Sequence, residues 1–249
     1  MRLWFEAGPT LPDLVGRHAN APAVIVGNGP SLRTADLRLP PEAVVFAFNG
    51  AWRLHMAGRL TPHWHVVEDR LVAEEEAAAL RAMDWTTLIL PREHAEVIPP
   101  GPGRMHVPVD WSYYDSVRPP AHPGFATTAE GPLYAGQSVV YLALQLAFLM
   151  GCDPVVLLGM DLDYRLPVSA RVAGHVVAST AADPNHFDPD YFGPGRRWHL
   201  PKPDRMLVAF RHAATVYARH GRRLLNATPG GRLTGVPRGG LCAAAGDDA

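Results

Sequence analysis

Gly27-Asn28-Gly29-Pro30-Ser31 is the first run in this sequence whose residue types suit ligand chemistry. Two glycines allow a tight turn and let backbone come close to a ligand. Pro30 and Ser31 fit the first turn of a helix, where unpaired amides and the dipole favour an anion. The chemistry on offer is cradling a nucleotide phosphate; the plainer alternative is a strand-to-helix turn with no ligand. No Lys follows as in a Walker loop, and the third glycine of G-x-G-x-x-G is missing. Further polar residues follow other apolar runs: Asn49, Glu68 with Asp69, Asp161 with Tyr164, and Asn226 with Thr228. Each alone suits a turn; as a set they can bind ribose, base or phosphate.

Residues 186–205 combine His186, Phe187, Tyr191, Phe192, Trp198 and His199 with Arg196, Arg197, Lys202 and Arg205. Aromatic rings flank a sugar or base, and the cations meet phosphate or carboxylate. A histidine can take a proton near neutral pH. The alternative is a packed surface loop with satisfied histidines. His63-x-His65 before Glu68 and Asp69 has the look of a metal pattern. A strand with partly exposed histidines accounts for it better, and no resident metal is expected. Ser138 lacks a glycine elbow and an evident base, which argues against a serine hydrolase.

The elements that must position these groups alternate. Apolar runs at 23–26, 44–48, 63–67, 86–90 and 154–158 read as buried strands, with short ones near 105–109 and 223–226. Helical patterns fall at 51–57, 71–83, 138–150 and 204–220. In the last, Met206, Leu207, Phe210, Ala214 and Tyr217 make one buried face. The expected fold is α/β: a single Rossmann-like domain over 21–237, its mostly parallel sheet covered by helices on both faces. A long Pro-rich lid is expected at about 165–203, a weakly structured lead-in at 1–20, and a frayed tail at 238–249. Ligands in such sheets gather beyond the carboxyl ends of the strands.

Totals narrow the function. The 249 residues are 47% hydrophobic and 19% charged, with net charge −1, so no nucleic-acid or anionic-membrane surface is expected. The apolar runs are too short to span a bilayer, and MRLWFEAG has no secretory core. Cys152 and Cys242 lie far apart and form no disulfide or metal pattern. A reducing cytoplasm is the expected location, and a homo-oligomer is compatible with the sequence.

Four segments in order carry a family resemblance: VIVGNGPSL, FAFNG, SVVYLALQLAFLMGCDPVVLLGMDLDY and WHLPKPD. Over about residues 23–233 the chain resembles the bacterial sialyltransferase fold (glycosyltransferase family 42). It also resembles the motility accessory factor domain and the 6-hydroxymethylpterin pyrophosphokinase-like proteins. The resemblance implies that Gly27, Asn28, Gly29 and Ser31 cradle the CMP of a CMP-sugar and that Asn49 binds the nucleotide sugar. Asp69 stands where the sialyltransferases carry an Asn. Ser138 supplies the hydroxyl at the start of the long helix, and Leu133-Tyr134-Ala135-Gly136 replaces an Arg that precedes it there. His199, five residues before Asp204, matches the catalytic base. Tyr164, and more loosely Tyr191, match tyrosines that steady the leaving phosphate.

The implied reaction is inverting glycosyl transfer from a nucleotide-sugar donor, CMP-linked and sialic acid- or nonulosonate-like, to a glycan or small-molecule acceptor. No cofactor is required. The alternative is a pyrophosphokinase on a pterin-like heterocycle, which needs Mg²⁺, with Glu68, Asp69 and Asp161 as the carboxylates to suspect. A nucleotide-binding module without activity is the third reading.

Overall fold

Apolar runs become strands here because both faces of the sheet are covered. In the computed structural model, which describes residues 9–166 and 170–241, β1 (Ala23–Val26) and β2 (Val44–Phe48) are buried at every position. After α1 (Trp52–Met56) come β3 (Trp64–Val66), α2 (Arg70–Glu75), α3 (Ala77–Ala82) and β4 (Thr87–Pro91). Then follow β5 (Arg104–Val107), β6 (Val109–Asp110), β7 (Leu133–Tyr134), α4 (Val139–Leu149) and β8 (Val155–Leu158). The last elements are β9 (Arg171–Ala173), β10 (Val176–Ala178), β11 (Arg197–His199), α5 (Pro203–Arg219) and β12 (Leu224–Asn226).

The main sheet has seven parallel strands in the order β12-β8-β1-β2-β3-β4-β5. Ala23 of β1 lies between Val44 of β2 and Val155 of β8. The chain runs outward from β1 to β5, then returns to lay β8 on the other side of β1. The strand order therefore reverses between β1 and β8, where open α/β sheets form a crevice.

Strand alternation sorts the core. Ala23 and Ile25 pack with α4 and α5 through Leu142, Leu146 and Phe210. Val24 and Val26 pack on the opposite face with Leu32, Leu54 and Phe187. Helix α4 is buried on almost every side, and α5 buries Met206, Phe210 and Tyr217 as expected. Leu207 and Ala214 are only partly buried against the same core. The Tyr217 hydroxyl donates to the Leu144 carbonyl at 2.7 Å, tying α5 to α4. Among the described residues no helix is long and apolar enough to cross a membrane.

Several expectations need correction. The helix expected over 71–83 is two helices, α2 and α3, parted at Glu76 (φ −102°, ψ 12°). Its carboxylate turns to Arg53 at 2.9 Å and Arg196 at 3.3 Å. Residues 9–20 are packed rather than loose: Leu11 and Leu14 enter the core. The amides of Gly16, His18 and Asn20 donate to the carbonyls of Leu149, Met150 and Gly151. At the other end Arg238 pairs with Asn226 and donates to the Thr228 and Gly230 carbonyls. Residues 242–249, with Cys242, lie outside the described residues. The lid is not aperiodic. It contains an antiparallel sheet, β9-β10-β11. Cys152 is buried, which pushes its thiol up to about 12 and makes it a poor nucleophile.

Candidate functional site

A cavity of about 410 Å³ opens at the carboxyl ends of β1, β2, β3 and β8, beside the reversal of strand order. Of the eleven residues expected from sequence, Gly27, Asn28, Gly29, Asn49, Asp69, Ser138, Asp161, Tyr164, Tyr191 and His199 line it. Ser31 does not.

Ser31 reveals what the glycine loop does locally. Its hydroxyl donates to Asp161 Oδ2 at 2.7 Å, and its amide to Oδ1 at 3.2 Å. Pro30–Arg33 is one short 3-10 turn, not the start of an α-helix. The position expected for a phosphate on that turn is thus filled by the protein's own carboxylate. The glycines serve the same contact. A Cβ on Gly29 would lie 1.8 Å from Asp161 Oδ2, and one on Gly27 would lie 2.4 Å from the Gly159 carbonyl oxygen. Loop β1 and loop β8 lie too close for any side chain between them. Gly29→Ala is expected to cost about 1–3 kcal/mol by overpacking. In an Asp161→Ala background the same change should cost less, a coupling measurable by urea denaturation of the four proteins. Equal costs in both backgrounds would refute the contact.

Asn28 and Asn49 end β1 and β2. Asn28 Nδ2 donates to the Tyr191 hydroxyl at 2.9 Å and to the Phe48 carbonyl at 3.2 Å. Asn49 takes a left-handed backbone (φ 49°), and its carbonyl meets His65 Nε2 at 2.8 Å. The Oδ1 atoms of both asparagines are buried without a hydrogen-bond partner. Tyr191 is buried, and its hydroxyl also accepts from the Gly50 amide at 3.0 Å. Burial drives its phenol well above the usual range. Its hydroxyl is therefore spent on holding the β1 and β2 loops together.

His199 and Asp69 meet across the cavity mouth. β11 alternates, so Trp198 points inward and donates to Ser179 Oγ at 3.1 Å, while Arg197 and His199 face α2. Arg197 pairs with Glu75 at 3.2 Å, and His199 Nδ1 lies 2.9 Å from Asp69 Oδ2. Asp69 caps α2 through Oδ1, which accepts the Leu71 amide at 2.8 Å. Both carboxylate oxygens are used, and the helix fixes the group that orients the histidine. The hydrogen bond that His199 donates to Asp69 raises the His199 pKa above 6.5, against partial burial.

Beside this pair, Glu68 is buried and accepts the Tyr114 hydroxyl at 2.8 Å. Desolvation pushes its carboxyl up to about 7. Tyr164 is half-buried in the wall, and burial lifts its phenol to about 12. At the far side Ser138 precedes α4 without capping it through its side chain. Ser138, Val139, Val140 and Lys202 line the cavity there.

The lid is fastened to the sheet. Arg33 donates to the carbonyls of Asp183 (3.0 Å) and His186 (2.8 Å), and the Phe187 amide donates to the Asn28 carbonyl (2.9 Å). His186 stacks on Tyr191 at 4.2 Å.

Other candidates fall away from the cavity. Asn226 and Thr228 are buried: the Thr228 amide donates to Asn226 Oδ1 at 2.9 Å, and Thr228 Oγ1 accepts the Met160 amide at 2.9 Å. His63 Nδ1 accepts the Val45 amide at 3.1 Å, and burial drops His65 to about 4. Among the described residues no three His, Cys, Asp or Glu side chains converge as a metal site. Sequence reasoning missed Trp111, Tyr114, His94 and Gln137, all in the lining. Only Gln137, strained at φ 66° just before α4, sits near a recognisable element boundary.

The comparisons agree with this frame. The family model described as 6-hydroxymethylpterin diphosphokinase MptE-like matches residues 4–166, about two thirds of the chain. No curated protein matches. The solved structure of the Maf glycosyltransferase from Magnetospirillum magneticum AMB-1 is similar, with a TM-score of 0.54 and 17% identity. The match covers 96% of this chain and 35% of that one, so this chain spans about a third of that protein's length. At this identity the likeness is one of fold. By the family match, the chain belongs to the 6-hydroxymethylpterin diphosphokinase MptE-like family.

Proposed function

We propose that the chain is a glycosyltransferase that draws an activated sugar from a nucleotide donor, CMP-linked, and transfers it with inversion to a hydroxyl acceptor. The observation that carries this reading is the His199–Asp69 pair at the mouth of a cavity on the sheet's reversal point. Asp69 accepts from Nδ1 and so leaves Nε2 as the basic nitrogen. Nε2 would take the acceptor's proton as its oxygen attacks the anomeric carbon. The donor's phosphate would leave toward the uncapped first turn of α4, with Lys202 and the Tyr164 hydroxyl alongside. Asp161 closes off the glycine turn for that purpose, so Gly27, Gly29 and Ser31 act by shaping the wall. Asn28 and Asn49 supply acceptors for the ribose or sugar hydroxyls.

A second reading is favoured by the family match: a diphosphokinase acting on a pterin-like heterocycle with a Mg²⁺-bound triphosphate. The carboxylates suspected for a resident ion do not fit one. Asp161 is spent on Ser31, Asp69 on Leu71 and His199, and Glu68 accepts from Tyr114. Any Mg²⁺ would arrive with its nucleotide.

Thermal shift with CMP, CDP, UDP, GDP and ATP, each with and without Mg²⁺, tests the choice. CMP alone is expected to raise the melting temperature, and EDTA to leave transfer unaffected. Stabilisation by ATP that requires Mg²⁺, with none by CMP, would replace the first reading by the second.

A further inference from the structure

A second aspartate-oriented histidine stands in the cavity wall and takes no part in the transfer chemistry above. His186 Nδ1 lies 2.6 Å from Asp183 Oδ2. Asp183 is 5% exposed and also accepts the Asn185 amide at 2.7 Å and the Phe192 amide at 3.1 Å. Burial alone would raise its pKa. The bonds from His186 and the two amides outweigh that and hold the carboxyl below its ordinary value. The aspartate therefore stays an acceptor, and Nδ1 carries the proton. The imidazole is locked in place as well. It stacks on Tyr191 at 4.2 Å with 4° between the planes, and meets Phe192 edge-on at 5.1 Å. Among the described residues Nε2 has no hydrogen-bond partner, and His186 lines the cavity.

Tyr191 carries this ring over the ends of β1 and β2, since its hydroxyl takes Asn28 Nδ2 and the Gly50 amide. Asn28 and Asn49, in the same lining, each keep an Oδ1 acceptor without a partner. This stretch of wall is also acidic: the Tyr164 phenol feels both Asp161 and Asp183. The two cations of the lining, Arg70 and Lys202, come from α2 and from the residue before α5, not from the lid or the β1 and β2 loops. A phosphate is a poor match here. Hydroxyl groups match, because they donate to acceptors and carry no charge. In open α/β sheets an acceptor side chain about 20 residues past the glycine turn takes a ribose hydroxyl, and Asn49 stands 20 residues after Gly29. Resting on the reading of this cavity as a nucleotide site, we propose that His186, oriented by Asp183, binds the ribose diol of the nucleotide and makes the site selective for ribonucleotides over deoxyribonucleotides.

Calorimetric titration of the full chain with CMP and 2′-deoxy-CMP, and with ATP and 2′-deoxy-ATP in Mg²⁺, tests this. CMP is expected to bind about tenfold more tightly than its deoxy form, as for one lost hydrogen bond to an oriented group. This comparison needs no variant. His186→Phe keeps a ring on Tyr191 and removes Nε2. It should bring the two affinities within about twofold, by weakening CMP. Asp183→Asn keeps the shape of the acid but frees the tautomer, and should cut the preference by about threefold or more. Melting curves of both variants show whether they are folded. No preference in wild type, or a preference unchanged in folded His186→Phe, would overturn the proposal. Cytidine controls for the phosphate. If His186→Phe weakens CMP but not cytidine, Nε2 meets the phosphate and the proposal falls. CMP binding without a ribose preference spares the transferase reading and fells this one. Binding of the ATP pair alone, with a preference that His186→Phe abolishes, does the reverse.

Discussion

Replacing His199 with alanine is expected to lower kcat by about 10²–10⁴-fold, the range for loss of a positioned general base. The side chain is 48% exposed at the cavity mouth and the core does not depend on it, so the melting temperature and CMP affinity should stay near wild type. The pH profile is the sharper test. Asp69 raises the His199 pKa above 6.5. A base works only when unprotonated, so kcat/KM should rise with pH through a limb above 6.5. Asp69→Asn removes the charge that holds the proton and leaves the partial burial, which lowers the pKa. The limb should then move to lower pH, while the maximal rate falls because the imidazolium formed in the reaction loses its counter-charge. For stability the sign is opposite to that of an acid. The pair's contribution is complete below 6.5 and disappears as pH rises through the raised folded value. An Asp69→Asn profile that overlays wild type would remove Asp69 from the mechanism.

Glu68→Gln is expected to stabilise the protein at neutral pH. In the folded chain the carboxyl titrates at about 7, against an ordinary 4.5, because burial penalises the anion. The unfolded chain gives up this proton from about pH 4.5 upward, whereas the folded chain keeps it until about 7. Between those values each pH unit costs the wild type about 1.4 kcal/mol, or about 3 kcal/mol in all. Below pH 4.5 that cost vanishes. Glutamine cannot ionise and its amide oxygen can still accept from Tyr114, so its stability should lack this slope. Urea midpoints at pH 4.5, 6 and 8 measure it. The variant should gain on wild type with rising pH and level off above 7. A constant difference across that range would mean that the carboxyl titrates normally.

The sequence carried the sheet because a strand covered on both faces must be continuously apolar, and Ala23–Val26, Val44–Phe48 and Val155–Leu158 are so. It also placed the polar residues at the strand ends, since few side chains but Asn, Asp and Glu suit those turns. Pairing was not legible. Asp69 and His199 are 130 residues apart, and nothing in either neighbourhood announces the other. The glycines misled for a related reason. Gly29 reads as room for a phosphate, but its close neighbour is Asp161, far along the chain in the partner loop. Arg171–Ala173 and Val176–Ala178 escaped because strands of three residues are too short to show a periodicity. The break at Glu76 escaped because it is set by two arginines on other elements.

The position of β1 has a kinetic consequence. It lies centrally, yet its neighbour β8 emerges about 130 residues later, as the Ser31–Asp161 separation records. Closing so long a loop is entropically costly, and contacts of such high order slow folding. During synthesis, β1 to β5 would stand for some time with one flank of β1 unpaired, a sticky edge that invites misassembly. The crevice lies along this same seam, which cannot close until β8 has emerged, so a ligand bridging it would act as a staple on that late folding step.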